Sequence, residues 1–151
     1  MMFGGRQKEE FPRSDELRRV LDDAITEAAN LGHEYIGTEH VLLALVSNRD
    51  SAIAAALARA GITEDAVRKS TGNIVRRGHG FAHIATFPLT SRTKAALSRA
   101  ADVAHELGQT HVTPEHLVAG LMREQKNIAA QILQQLGLSW EAAEEMARDA
   151  R

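Results

Sequence analysis

One stretch decides the fold, Ile36-Gly37-Thr38-Glu39-His40-Val41-Leu42-Leu43-Ala44-Leu45, and a second version of it follows 76 positions later. The second version reads Val112-Thr113-Pro114-Glu115-His116-Leu117-Val118-Ala119-Gly120-Leu121. Each copy has a turn-forming residue where a helix N-cap is expected, then a Glu-His pair, then a run that is apolar on nearly every side. The two copies predict two buried central helices in a duplicated protein.

The duplication extends beyond the two motifs. Residues 11–63 align without a gap on residues 87–139, with 13 identical pairs in 53 positions. Most of these pairs are apolar, glycine or proline residues, which a shared fold alone would require. Two pairs are polar. We interpret His40 and His116 as packing residues beside the apolar run, whereas Glu39 and Glu115 are either first-turn residues favoured by the helix dipole or binding residues.

Apolar periodicity and capping residues predict four helices in each half. In the first half, helices are expected from Ser14 to Leu31, from about Thr38 to Val46, from Ser51 to Ala60, and after Thr63. The second half repeats this order from Phe87, with its last helix capped by Ser139. We therefore predict an all-α fold, an eight-helix pseudo-twofold duplication of a four-helix repeat.

The chain divides into four segments around this duplication. Residues 1–10 are predicted to be a flexible N-terminal arm, 11–75 the first repeat, 76–86 a linker and 87–151 the second repeat, together forming one compact domain. The linker is long for a connection inside a domain, which suggests mobility or a role of its own. Its two histidines, His79 and His83, lack the carboxylate or cysteine neighbours of a zinc site, so no metal site is expected.

Composition limits the possible functions. The chain has 151 residues, 44% of them hydrophobic, with a net charge of -2 and both signs interspersed. That balance disfavours a nucleic acid or an anionic membrane as partner. The sequence contains no cysteine, which excludes disulfides and thiolate catalysis. No apolar run resembles a signal peptide or a membrane span, so we expect a cytoplasmic protein.

No catalytic motif is present. The sequence has no Gly-x-x-x-x-Gly-Lys-Ser/Thr loop, no Gly-x-Ser-x-Gly elbow and no His-Glu-x-x-His pair. These absences predict a binding module without catalytic residues, metal or cofactor, rather than an enzyme.

Four segments carry a resemblance to a known family: Met1-Met2-Phe3-Gly4, the string from Leu31 to Leu45, Thr113-Pro114-Glu115-His116-Leu117, and Ile128-Ala129-Ala130-Gln131-Ile132-Leu133. They resemble the double Clp repeat, the N-terminal domain of Clp unfoldases, and are most similar to the ClpC type. The resemblance covers about residues 11–150. It implies a domain that binds substrate proteins and adaptor proteins for an ATPase ring and its protease core.

The resemblance also implies two pockets for phosphorylated arginine. Matching the family's motifs within each repeat pairs Glu39 with Ser14, and Glu115 with Thr90. A carboxylate can hold the guanidinium group, and a hydroxyl with helix N-terminal N–H groups can hold the phosphate. The family also has an arginine two positions after the threonine at the start of the first helix, and Arg92 matches it in the second half, two positions after Thr90.

At the equivalent position of the first half stands Glu16, next to Asp15. Two carboxylates oppose a phosphate. We therefore expect tighter binding at the second site, formed by Glu115, Thr90 and Arg92.

Two alternatives stay open at this point. A stand-alone Clp-repeat accessory protein would bind the protease core or compete for adaptors and peptides. A helical DNA-binding regulator is disfavoured by the acidic balance and by the absence of a basic helix face.

Overall fold

A computed structural model describes residues 11–80 and 87–150, and in these ranges the chain forms eight helices and no strand. The first four are α1 (Asp15–Asn30), α2 (Thr38–Ser47), α3 (Ala52–Arg59) and α4 (Glu64–Ile74). The last four are α5 (Ser91–Glu106), α6 (Pro114–Arg123), α7 (Ile128–Gln135) and α8 (Trp140–Asp149). The all-α, eight-helix prediction is confirmed. The predicted arm at 1–10, part of the predicted linker at 81–86, and Arg151 lie outside the described residues.

The helix boundaries follow the local chemistry of the sequence. Predicted serine and threonine N-caps accept a hydrogen bond from the backbone N–H three residues on, as Ser14 Oγ does from Leu17 at 3.1 Å. Ser51, Thr63 and Ser139 do the same. Gly32 ends the first helix at φ 73°, a left-handed conformation that glycine adopts without the Cβ penalty. Gly108 takes the equivalent place after α5 at φ 70°.

The core is built around α2 and α6. Residues 38–46 of α2 are all buried, and α6 is buried from Leu117 to Met122. Helix α1 packs on α2, while α5 and α8 pack on α6. A single cluster of buried side chains includes Leu42 and Leu57 from the first repeat and Leu121 and Leu133 from the second. The two repeats therefore share one core, with the duplicated motifs at its centre.

The start of the predicted linker is packed against the first repeat. The N–H of Gly78 donates to the carbonyl of Leu31, and that of Gly80 to the carbonyl of Gly32, both at 2.8 Å. A Cβ on Gly78 would run into the backbone of Gly32, so only glycine allows this close approach. Residues 76–80 thus run along the loop that joins α1 to α2.

No single helix in the described ranges is long and apolar enough to cross a bilayer. Only α2 and α3 together reach that length, and the chain bends by 96° between them.

Candidate functional site

The two repeats are joined through the segments that lead into α1 and α5. The N–H of Ser14 donates to the carbonyl of Val112 at 2.9 Å, just ahead of α6. In the same way, the N–H of Thr90 donates to the carbonyl of Ile36 at 3.0 Å, just ahead of α2. Isolated parallel bridges, Arg13 with Val112 and Ile36 with Leu89, accompany these bonds. Each repeat therefore places the start of its first helix beside the central helix of the other repeat.

Because each first helix starts beside the central helix of the other repeat, the site residues are not paired within one repeat, as the sequence had suggested. We call this arrangement the exchange of helix starts. Ser14 lies at the start of α6, which carries Glu115, and Thr90 lies at the start of α2, which carries Glu39. Matching the motifs within each repeat gave the opposite pairing, because a sequence alignment compares positions and contains no information on which repeat supplies each neighbour. Arg92 consequently lies on the helix that starts beside α2, which carries Glu39, and Glu16 on the helix that starts beside α6, which carries Glu115. We call these two places the α2/α5 junction and the α1/α6 junction.

Glu39 is the buried acid of the α2/α5 junction. It is only 3% exposed, and its carboxyl group lies over Gly37, where a Cβ would collide with it. Burial raises the pKa of this carboxyl, while its own backbone amide and the neighbouring His33 act in the opposite direction. Within residues 11–80 and 87–150, no lysine or arginine forms a salt bridge with it. The site thus contains a buried acid without a cation partner.

The hydroxyl groups at this junction are already oriented. Thr93 donates its hydroxyl to the carbonyl of Ile36 at 2.9 Å, so it accepts the hydroxyl of Thr90 at 2.8 Å. Thr90 also accepts the N–H of Thr93 as the N-cap of α5. Arg92 is exposed on the first turn of the same helix. At this helix end, the groups whose charge or polarity suits a phosphate are the Arg92 guanidinium and the first backbone N–H groups of α5.

The α1/α6 junction has an acid, Glu16, at the position where the α2/α5 junction has Arg92. Glu115 is half-buried there, and Glu16 is exposed on the first turn of α1. Asp15 is paired with Arg18 at 2.7 Å, and both side chains are largely exposed. Two acids, with no arginine in the place of Arg92, make this junction unfavourable for a phosphate.

A chain of histidines lies beside Glu39. The N–H of Gly37 donates to Nδ1 of His40 at 2.9 Å, so the proton of neutral His40 is on Nε2. That N–H donates to Nδ1 of His33 at 2.8 Å, and Nε2 of His33 in turn donates to the carbonyl of Arg76 at 2.8 Å. Burial, with a further contribution from His33, lowers the pKa of His40 to about 4. The histidine chain thus ties the loop before α2 to the start of the linker.

His33, Glu39 and His40 also place three possible metal ligands within 4.8 Å of one another. The hydrogen bonds argue against a metal here. To coordinate through Nε2, His40 would have to move its proton to Nδ1, and two N–H groups would then face each other at Gly37. The same exchange would remove the His33 bond. The protonation pattern fits a structural histidine pair rather than a metal centre.

In the second repeat the histidine chain is incomplete. Nδ1 of His116 accepts the N–H of Thr113 at 2.9 Å, as in the first repeat. Nε2 of His116 is buried and has no hydrogen-bond partner among the described residues. The position equivalent to His33 is Gln109, which lines a groove at the surface. The prediction that His40 and His116 pack in the interior is confirmed, since both are fully buried. Their capping role was missed.

That groove is a concave surface with a volume of about 1000 Å³. Its walls come from α1, α2 and α3 of the first repeat and from α6 and α8 of the second. Apolar groups, among them Leu45 and Met146, form part of its lining. The groove therefore spans the boundary between the repeats, where a bound segment would contact both.

Comparison with known proteins agrees with this architecture. Residues 13–136 match the family described as the Clp repeat (R) N-terminal domain. The "Negative regulator of genetic competence ClpC/MecB" of Bacillus subtilis (strain 168) is 36% identical over 126 residues, which are 83% of this chain and 15% of that protein. The chain thus spans about one seventh of the length of the curated relatives it matches.

Two solved structures share the fold. The N-terminal domain of ClpD from Arabidopsis thaliana superposes with a TM-score of 0.73 at 22% identity, covering 89% of this chain and 94% of that one. A complex of the ClpV N-domain with VipB peptide gives a TM-score of 0.71 at 17% identity, covering 99% and 98%. The fold is that of a Clp-type N-terminal domain. The chain belongs to the Clp repeat N-terminal domain family.

The sequence alone did not indicate two features of the site. His33 and Tyr35 stand in the quoted string, but only the folded chain stacks their rings with centroids 5.1 Å apart beside His40. The seven-residue spacing of His33 and His40 was the available signal, since it places one histidine just after α1 and the other in the first turn of α2. The second feature is the lining of the groove: the duplication predicted a groove between the two repeats, but not which residues line it.

Proposed function

We propose that this domain binds substrate or adaptor proteins for a Clp unfoldase, and that phosphoarginine side chains of those proteins bind at the α2/α5 junction. The observation that carries the proposal is the buried Glu39, which has no salt-bridge partner among the described residues and lies in the first turn of α2, next to the point where Thr90 of the other repeat donates to the carbonyl of Ile36. A buried carboxyl whose pKa is raised by desolvation gains from a cationic partner. The solved ClpV N-domain with VipB peptide supports a peptide-binding role for this fold.

The geometry suggests how the two charges of the ligand are separated. The guanidinium group would approach the carboxylate of Glu39, beside the ring of Tyr35, which is 38% exposed. The phosphate would then lie toward Arg92 and the first N–H groups of α5. The ligand would contact both repeats at once, so binding depends on the exchanged packing.

Isothermal titration with free phosphoarginine tests the proposal. Arg92→Glu should weaken binding at least about tenfold, because it replaces the phosphate-binding cation by an opposing charge. The matched variant is Glu16→Arg, which gives the α1/α6 junction the arginine that α5 carries and should add or strengthen a second site. Binding by the wild-type domain that is unaffected by Arg92→Glu would refute this assignment, as would the absence of binding at millimolar ligand.

A further inference from the structure

The groove between the repeats results from a difference between two equivalent helices. Helix α3 lines it with Ala52, Ala56 and Ala60, spaced one turn apart. The equivalent positions of α7 carry Ile128, Ile132 and Leu136, which pack into the core. The large side chains of α7 close the second repeat's side of the molecule. The alanines of α3 leave the corresponding space open.

A second difference acts in the same direction. The N–H of Ala129 at the start of α7 donates to Thr38 Oγ1 at 3.2 Å, which fastens α7 to α2. The residue equivalent to Thr38 is Pro114, which has no hydroxyl to accept the matching bond from α3. Helix α7 packs on α2 and α4, whereas α3 makes no comparable packing with α6 and α8. The groove is therefore explained by these two sequence differences between the repeats.

The charges around the groove are predominantly negative. Its walls contain two arginines, Arg19 and Arg59, and six carboxylates: Glu16, Asp23, Asp50, Glu115, Glu145 and Asp149. None of the six forms a salt bridge within residues 11–80 and 87–150. The pKa of Asp23 is raised by partial burial and by repulsion from Asp22 and Glu27, with Arg19 opposing. The described walls of the groove therefore carry more negative than positive charge.

We propose that the groove is the docking site for a basic, amphipathic segment of a partner protein, with its apolar side chains on the alanines of α3 and its lysines or arginines against the acidic rim. The inference rests on the proposed role as a recognition domain but not on the phosphoarginine site. Charge complementarity identifies the occupant, since an apolar floor inside an uncompensated acidic rim disfavours acidic and purely apolar segments. A helix of about 10–12 Å diameter is the form in which such a segment presents both faces.

A designed peptide tests the charge preference. The probe is a leucine/lysine helix of about four turns, with leucines at helical spacing, and its control has glutamate in place of every lysine. The lysine peptide should bind the intact domain, with affinity that falls as salt is raised, and the glutamate peptide should not. Glu145→Lys with Asp149→Lys should weaken the lysine peptide at least about tenfold. Asp22→Lys with Glu141→Lys, at exposed positions of α1 and α8 outside the groove, should leave it within about twofold.

The apolar contact has its own test. Ala56→Ile copies the residue of α7 into α3 and should close the groove and reduce binding, whereas Ala58→Ile on the exposed face should not. Equal binding of both peptides, or no effect of either groove variant, would overturn the inference. So would a concentration-dependent dimer in sedimentation that Ala56→Ile abolishes, because it would assign the groove to a second copy of the chain.

The two proposals fail separately. Arg92→Glu should remove phosphoarginine binding and leave the lysine peptide unchanged. Loss of peptide binding in Arg92→Glu, with the helical circular dichroism signal intact, would contradict a groove that is independent of the α2/α5 junction.

Discussion

At the scale of single residues, the most informative contrast is between His33 and Gln109. Both stand at equivalent positions before a central helix, but only His33 receives the Nε2 proton of the capping histidine. One buried donor is therefore satisfied in the first repeat and its twin is not. A buried donor left without a partner costs about 1–3 kcal/mol.

This contrast predicts opposite effects of two substitutions. His33→Ala removes the partner of His40 and the bond to Arg76, so it should lower the free energy of unfolding by about 1–3 kcal/mol. Gln109→His offers His116 the missing acceptor and should raise the free energy of unfolding by about 1 kcal/mol. Urea unfolding measures both changes. Effects of either substitution below about 0.5 kcal/mol, the usual range for surface positions, would show that the histidine chain does not stabilise the fold.

The same histidines predict a pH dependence of stability. In the unfolded chain His40 has a pKa near the ordinary 6.5, and in the fold about 4. Between these values the unfolded chain binds a proton that the folded chain does not, so stability is complete above pH 6.5 and falls as the pH drops toward 4. The loss from His40 alone amounts to about 3 kcal/mol.

Two neighbours modify this profile. The pKa of His116 is also lowered by burial and adds a loss in the same direction. The pKa of Glu39 is raised, so its protonation in the fold partly offsets the loss at low pH. The free energy of unfolding, measured between pH 7 and pH 4, should depend less on pH in His40→Asn than in the wild-type domain. An NMR titration that finds His40 protonated near pH 6.5 in the folded domain would contradict the assigned hydrogen bonds.

At the scale of helices, the sequence predicted the elements well because their determinants are local. Serine and threonine N-caps, glycines at helix ends and apolar spacing all act within a few residues, and the helix positions follow them. The docking of residues 76–80 was not predicted. It depends on His33 and Gly32, which are distant in sequence, and no local pattern reports such contacts.

The central position of α2 and α6 predicts large effects of core truncation. Leu45→Ala and Leu121→Ala should each cost about 2–5 kcal/mol, because both side chains are 1% exposed. Ile74→Ala, which removes a similar side chain that is 37% exposed, is the matched control and should cost under about 1 kcal/mol. Chemical unfolding that ranks the control with the two leucines would contradict the assignment of the core.

The start of the linker predicts a protected protease site. The sequence suggested mobility for the linker at 76–86, but the Arg76 carbonyl accepts from His33 and the next residues pair with the loop before α2. Trypsin should therefore cut there slowly in the wild-type domain, and about tenfold faster in His33→Ala. Equal rates in the two proteins would show that the histidine does not hold this segment.

At the scale of the whole molecule, the decisive property is the exchange of helix starts between repeats. Duplication was readable from the 76-residue offset, as was the likeness of the two motifs. The sequence did not show which first helix starts beside which duplicated motif. The two repeats resemble each other, so either pairing satisfies the same sequence pattern. Arg92 and Glu16 differ in sign, so the exchange decides which of the two central helices has an arginine on the helix that starts beside it. A double-mutant cycle measures that partnership.

The most direct test is such a cycle in phosphoarginine affinity, with Glu39→Gln and Arg92→Ala made singly and together. The exchanged packing predicts that their effects are coupled by about 1 kcal/mol or more, whereas Glu39→Gln and Ser14→Ala add within about 0.5 kcal/mol. Additive effects for Glu39 with Arg92, together with coupling between Glu39 and Ser14, would contradict a binding site built across the two repeats.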